Sequence, residues 1–140
     1  MNDLNIKFTD SLQVEESFYQ AFRSRSVGLM KDVWDKTDEI ICIHPGSPRI
    51  YSFDLIIASW EQIFSAQSGT MIDISDPVYK LQDDVSIHYV KETLSVNDKP
   101  VASVYATNIY QQTSDGWKMI AHHASPAFSD SEVKINPGLH

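Results

Sequence analysis

At 140 residues the chain has the length of one domain and enough material to bury roughly two-thirds of its unfolded surface. Apolar residues make up 42% and charged residues 21%, which excludes intrinsic disorder. Eleven Lys+Arg against nineteen Asp+Glu leave a net charge of −8, which opposes nucleic-acid backbones and anionic membrane surfaces, and the single Cys42 excludes an internal disulfide and suits a reducing, cytoplasmic setting.

No run approaches the about 18 apolar residues of a membrane span, and Met1-Asn2-Asp3-Leu4 does not read as a signal peptide. Without repeats or a Pro/Gly/Ser linker, residues 1–128 read as one unit. Ser129 to His140 is polar, carries Pro137-Gly138 and reads as a tail.

In chain order, Asp10 with Gln13 three residues on predicts a capped first helix, with Val14, Phe18, Ala21 and Phe22 as its apolar stripe. Ser26 caps a short second helix carrying Met30, Val33 and Trp34. Ile40 to Ile43 is a brief β-branched run stopped by Pro45-Gly46, a buried strand. A third helix follows Ser52, with Phe53, Ile56, Ile57, Trp60, Ile63 and Phe64 at helical spacing.

After Gly69 four strands follow: Met71 to Lys80, Val85 to Val96, Val101 to Gln112 and Trp117 to Ala124. Asp83-Asp84, Asn97-Asp98 and Asp115-Gly116 mark the turns between them. Val85, Ile87 and Tyr89 alternate onto one face but Val90, Leu94 and Val96 onto the other, so a bulge is expected near Val90-Lys91. Three helices before a run of strands give an α+β fold, a cone-shaped roll with the helices on a curved, mainly antiparallel sheet enclosing a pocket.

Order and motifs together resemble the nuclear transport factor 2-like superfamily, in particular its SnoaL-like members. The resemblance rests on Cys42-Ile43-His44-Pro45-Gly46, Ala58-Ser59-Trp60, Thr107-Asn108-Ile109-Tyr110 and Gly116 through Pro126, and spans about Val14 to Pro126. Ketosteroid isomerases of that superfamily place a general base before a proline at the end of the first strand, where His44-Pro45 stands here. They place an oxyanion donor on the penultimate strand, where Asn108 falls; the protonated acid serving that role there is a known case of a carboxyl kept neutral. Their oxyanion tyrosine is matched by Phe18, with Tyr19 pointing elsewhere on the helix.

The association domain of calcium/calmodulin-dependent protein kinase II, another member, lines its pocket from positions matching Lys91, Asn108 and Ala124. An arginine of that domain is replaced by Ala124. Period-2 alternation from Ala124 puts His122, Ile120 and Lys118 on the pocket face and His123, Ala121, Met119 and Trp117 on the outer face. That outer face is commonly a dimer interface in the superfamily. An apolar patch of Trp117, Met119 and Ala121 would make this chain a homodimer.

Taken alone, His44 reads either as a histidine bonded to a loop carbonyl or as a pocket acid/base. Asn108 either pairs with a core polar group or points into the hollow. His122 and His123 face opposite ways and cannot share a metal, so no metal site is expected, and Cys42 reads as a small buried hydrophobe.

Two functions follow. In the first, the resemblance implies cofactor-free isomerase, dehydratase or cyclase chemistry on a small apolar, carbonyl-bearing molecule. His44 would move the proton, Asn108 stabilise the oxyanion and His122 orient the substrate, with Phe18, Trp34, Tyr51, Trp60, Lys91 and Tyr110 lining the pocket. In the second, the same pocket belongs to a non-catalytic ligand-binding or assembly module.

Overall fold

The computed structural model describes residues 6–66 and 69–127; the tail expected from Ser129 onward and the chain start lie outside them. Asp10, in extended backbone, accepts the Gln13 amide at 2.9 Å and starts α1 (Ser11–Ser24), while the Gln13 side chain returns to the Thr9 amide. Ser26 does the same for α2 (Val27–Val33) by accepting from the Leu29 amide. The third helix, α3, is Phe53–Ala66 and buries Ile56, Ile57, Trp60 and Phe64, the stripe its spacing predicts. Among the described residues no helix is long and apolar enough to cross a membrane.

The strands are β1 (Ile41–Ile43), β2 (Ile50–Tyr51), β3 (Thr70–Leu81), β4 (Val85–Val96), β5 (Lys99–Thr113) and β6 (Gly116–Pro126). They form one sheet in the order β2-β1-β6-β5-β4-β3, antiparallel except where β1 runs parallel to β6. The helices and this sheet make the α+β cone that the element order predicts. Asn97 and Asp98 both take positive φ, 53° and 63°, as a two-residue hairpin turn demands. The two-residue β2 was not expected; it is too short to leave a period.

Two irregularities differ from expectation and decide which side chains face inward. The bulge expected near Val90-Lys91 lies instead across from it, on β3. Ser75 pairs with Lys91 and Val78 with Tyr89, so Asp76 and Pro77 together oppose Val90. Proline cannot donate to a ladder and is accommodated at such a break.

β4 itself alternates without interruption, but in the inverse sense to its hydropathy. Ser86, His88, Val90 and Glu92 are buried, while Val85, Ile87 and Tyr89 face outward. Lys91 shares that outer face, opposite Tyr105, and does not line the interior.

On β6, Ile109 pairs with Ala121 and Tyr110 with Met119, so Ile120 is an extra residue. It reverses the expected facing upstream of His122. Met119 is fully buried and Trp117 is 7% exposed, so neither belongs to an outer apolar patch. Lys118 reaches the Asp32 carbonyl on α2 at 2.8 Å, away from His122.

Candidate functional site

Strand register sets five inward residues in one row across the sheet. Tyr79 opposes His88, His88 opposes Asn108, Asn108 opposes His122, and His122 opposes Cys42. His88, Asn108 and His122 are at most 3% exposed. Buried polar groups need partners, and α1 supplies them. Ser11, Glu15 and Tyr19 recur every four residues, so they form a single stripe on the helix, and all three are buried.

The first half of that stripe makes a lock. His88 Nδ1–H donates to Glu15 Oε1 at 3.1 Å, His88 Nε2 meets the Ser11 hydroxyl at 3.0 Å, and the Tyr79 hydroxyl donates to Glu15 Oε2 at 2.9 Å. The Ser–His–carboxylate connectivity is that of an activated serine. Ser11, however, lies buried in the first turn of α1 with its hydroxyl taken up by His88. The cluster ties α1 to β3 and β4, and Tyr110 packs against its imidazole with ring centroids 4.6 Å apart.

The second half is a hydrogen-bond chain. The Tyr19 hydroxyl donates to Glu92 Oε2 at 2.7 Å, Asn108 Nδ2 donates to the Tyr19 oxygen at 2.9 Å, and His122 Nδ1–H donates to Asn108 Oδ1 at 2.6 Å. Burial raises the Glu92 carboxyl from an ordinary 4.5 to about 7, although the Tyr19 hydrogen bond opposes the rise. Burial chiefly, then the neighbouring His44 and His123, lowers His122 from 6.5 to about 3, so its ring is neutral.

His44 completes the cluster from the end of β1. A tight turn holds it: the Ser47 amide donates to the His44 carbonyl, and Gly46 at φ 75° takes the position where Pro-Gly turns need a positive φ. The His44 amide donates to Ser47 Oγ. The one hydroxyl hydrogen of Ser59 goes to the Ile56 carbonyl at 2.6 Å, so Ser59 Oγ accepts from His44 Nε2–H at 2.8 Å. The lone pair therefore sits on Nδ1.

Burial lowers His44 from 6.5 to about 4. The same effect raises the Cys42 thiol, 3.6 Å from His44 Nε2, to about 12. Both shifts work against a thiolate–imidazolium pair, and Cys42 remains a buried hydrophobe.

Aromatic rings pack around the two imidazoles. Trp60 lies edge-on to His44 at 4.6 Å between centroids and 5.8 Å from His122, Phe18 lies 5.0 Å from His122, and the two imidazoles are 6.4 Å apart. His44 is half-buried and gives the cluster its access to solvent. The indole N–H of Trp60 is buried with no hydrogen-bond partner. A separate surface hollow of about 390 Å³, lined by Asp32, Asp35, Lys36 and Lys118 among others, shares no residue with the cluster.

The structure thus brings together His44, His122, Asn108, Phe18 and Trp60. It does not bring in Tyr51, which is 46% exposed and lies under Arg49, nor Lys91. Trp34 is fully buried and bridges to Met119, and Tyr110 belongs to the His88 cluster. Tyr19 does not point elsewhere; it is the central link of the chain. Glu92 was missed altogether, and Ser59 was named only within the Ala58-Ser59-Trp60 motif, with no role given to it. A glutamate in phase with Ser86 and His88 on one strand was the available signal for the first.

Comparison with known proteins identifies the family and the fold. The family model for the SnoaL-like domain matches residues 12–129. A Thiobacillus denitrificans chain, described as a calcium/calmodulin-dependent protein kinase type II association domain, is 33% identical and superposes with a TM-score of 0.83. That match covers 88% of this chain and 99% of the other. A Streptomyces avermitilis dehydratase of the nuclear transport factor 2-like family superposes with a TM-score of 0.77 at 23% identity, over 86% of this chain and 95% of its own, a likeness of fold. The F-box protein SKIP8 of Arabidopsis thaliana is 23% identical over 124 residues, 89% of this chain, and the chain spans about half of that relative's length, 52%.

Proposed function

The chain belongs to the SnoaL-like domain family, and on that premise we propose that the enclosure around His44 and His122 binds a small apolar, carbonyl-bearing molecule and moves a proton on it without a cofactor. The observation that carries this reading is the pairing of a neutral imidazole with a buried, unpartnered indole N–H, ring against ring at 4.6 Å. At neutral pH His44 is a free base with its lone pair on Nδ1, ready to take a proton from carbon beside a carbonyl. The Trp60 N–H supplies the hydrogen bond that stabilises charge developing on the carbonyl oxygen. Asn108 cannot take that role while its amide is committed to Tyr19 and His122; it positions His122 instead.

Exchange of the methyl protons of acetophenone in D₂O, followed by ¹H NMR, tests the reading without knowledge of the natural substrate. The protein accelerates exchange over buffer, and His44→Ala removes about 10²-fold of the rate with the fold intact. Binding of acetophenone without any exchange would overturn the proton transfer and favour a ligand-binding module.

We propose further that the chain pairs with a second copy through the outer face of the sheet. Tyr89 (41% exposed) and Tyr105 (52%) stand there on adjacent strands, around Thr107 and Lys91. Aromatic residues set diagonally on a sheet face favour burial against a partner.

A further inference from the structure

We infer that Glu92, acting through Tyr19 and Asn108, holds His122 as a hydrogen-bond acceptor, so that the enclosure selects molecules carrying a hydroxyl beside the carbonyl. The inference rests on the ligand reading above for its second half only. Its first half follows from counting hydrogens. An ionised carboxylate only accepts, so the Tyr19 hydrogen must point to Glu92. The Tyr19 oxygen then accepts, which turns the Asn108 amide with Nδ2 toward Tyr19 and Oδ1 toward His122. Oδ1 in turn requires Nδ1–H on His122, and a neutral ring protonated there keeps its lone pair on Nε2.

A residue on β4 thereby decides which hydrogen-bond sense a residue on β6 offers, two strands away. Glu92 and Tyr19 are positioning residues in this scheme. Trp60 carries an unpartnered donor and His122 an acceptor, on rings whose centroids lie 5.8 Å apart. A carbonyl oxygen satisfies the first and a neighbouring hydroxyl the second. A plain ketone leaves the second unsatisfied, which is the kind of mismatch that polar sites reject most strongly. α-Hydroxy ketones are the ligand class that fits.

The test is ¹⁵N NMR of the imidazoles at about pH 8.5, where a carboxyl titrating near 7 is ionised. Wild-type His122 shows the Nδ1–H tautomer. In Glu92→Met the Tyr19 hydrogen loses its acceptor and turns to Asn108, the amide flips, and His122 shifts to Nε2–H. Tyr19→Phe, one atom smaller, is the second variant: the Nδ1–H signal loses its dominance. Nδ1–H persisting unchanged in either folded variant, or Nε2–H in the wild type, overturns the relay.

The ligand class is read from the affinities of 2-hydroxyacetophenone and acetophenone. The hydroxy ketone binds wild type about tenfold or more tightly, and the preference disappears in Glu92→Met. Equal affinities in wild type overturn the class but leave the tautomer result standing. Binding of neither probe overturns the ligand reading, and the class with it, while the spectra still decide the relay.

Discussion

Replacement of Glu92 by Met gives a stability difference that changes sign with pH. The wild-type carboxyl ionises near 4.5 in the unfolded chain and near 7 in the fold, because burial disfavours its charge. Between those values the folded protein holds a proton on Glu92 that the unfolded chain has released, so the contribution of Glu92 to stability falls as pH rises through the window. The full cost, about 3 kcal/mol, is present above pH 7 and absent below 4.5. Met fills similar volume and carries no charge. At low pH the variant lacks only the bond from Tyr19, a loss of about 1 kcal/mol. At high pH it is relieved of the larger cost and exceeds wild type by about 2 kcal/mol. Urea unfolding of both proteins at about pH 4.5 and 8.5 measures this. His44 and His122 titrate in both proteins and cancel in the difference. A difference that stays flat across the window would refute the burial of an ionisable Glu92.

Three further outcomes follow from the geometry. A Cβ at Gly116 would lie 2.8 Å from the Phe8 carbonyl oxygen at φ 91°, so Gly116→Ala costs about 2–3 kcal/mol in urea unfolding; Gly46→Ala, with open space around it, costs only about 1. As pH falls from 6.5 toward 4, unfolding takes up protons on His44 and His122, which the fold keeps neutral; wild-type stability therefore drops in that window, and a pH-jump titration shows a shallower drop in His44→Ala. Tyr105→Glu puts a charge in the outer face of the sheet, and sedimentation velocity is expected to register the proposed dimer for wild type and a monomer for the variant.

Much of the fold was legible because its boundaries are written in local chemistry. Asp10 and Ser26 cap helices through their own side chains, and Asn97-Asp98 turns a hairpin through two positive φ values. The bulges were not legible. Ile120 is one more apolar residue in an apolar strand, and nothing in it announces that it opposes no partner. That single extra residue was enough to misplace Trp117 and Met119. The bulge on β3 did carry a signal, Pro77, but the broken alternation of β4 drew the expectation to the wrong strand.

The site was half legible for a related reason. His44, Asn108, His122, Phe18 and Trp60 lie together in the structure, yet Tyr19 and Glu92, which orient them, carry no motif, and Ser59 sits in one that assigns it no part. On α1 the apolar stripe of Val14, Phe18 and Ala21 hides a second stripe, Ser11, Glu15 and Tyr19, at the same period. On β4 three of the inward residues, Ser86, His88 and Glu92, are polar, and Val85, Ile87 and Tyr89 are left outside. Ordinary alternation assigns those faces the other way round, since a strand with one solvated side buries its apolar residues. The inner face gains the hydrogen bonds of Ser11 and Glu15 to His88 and of Tyr19 to Glu92. The outer face, with Tyr89 beside Tyr105, gains nothing from water. The same alternation that turns Ser86, His88 and Glu92 inward leaves Tyr89 outside beside Tyr105, where the pairing proposed above would bury them, so Tyr105→Glu and Glu92→Met probe two sides of one strand pair.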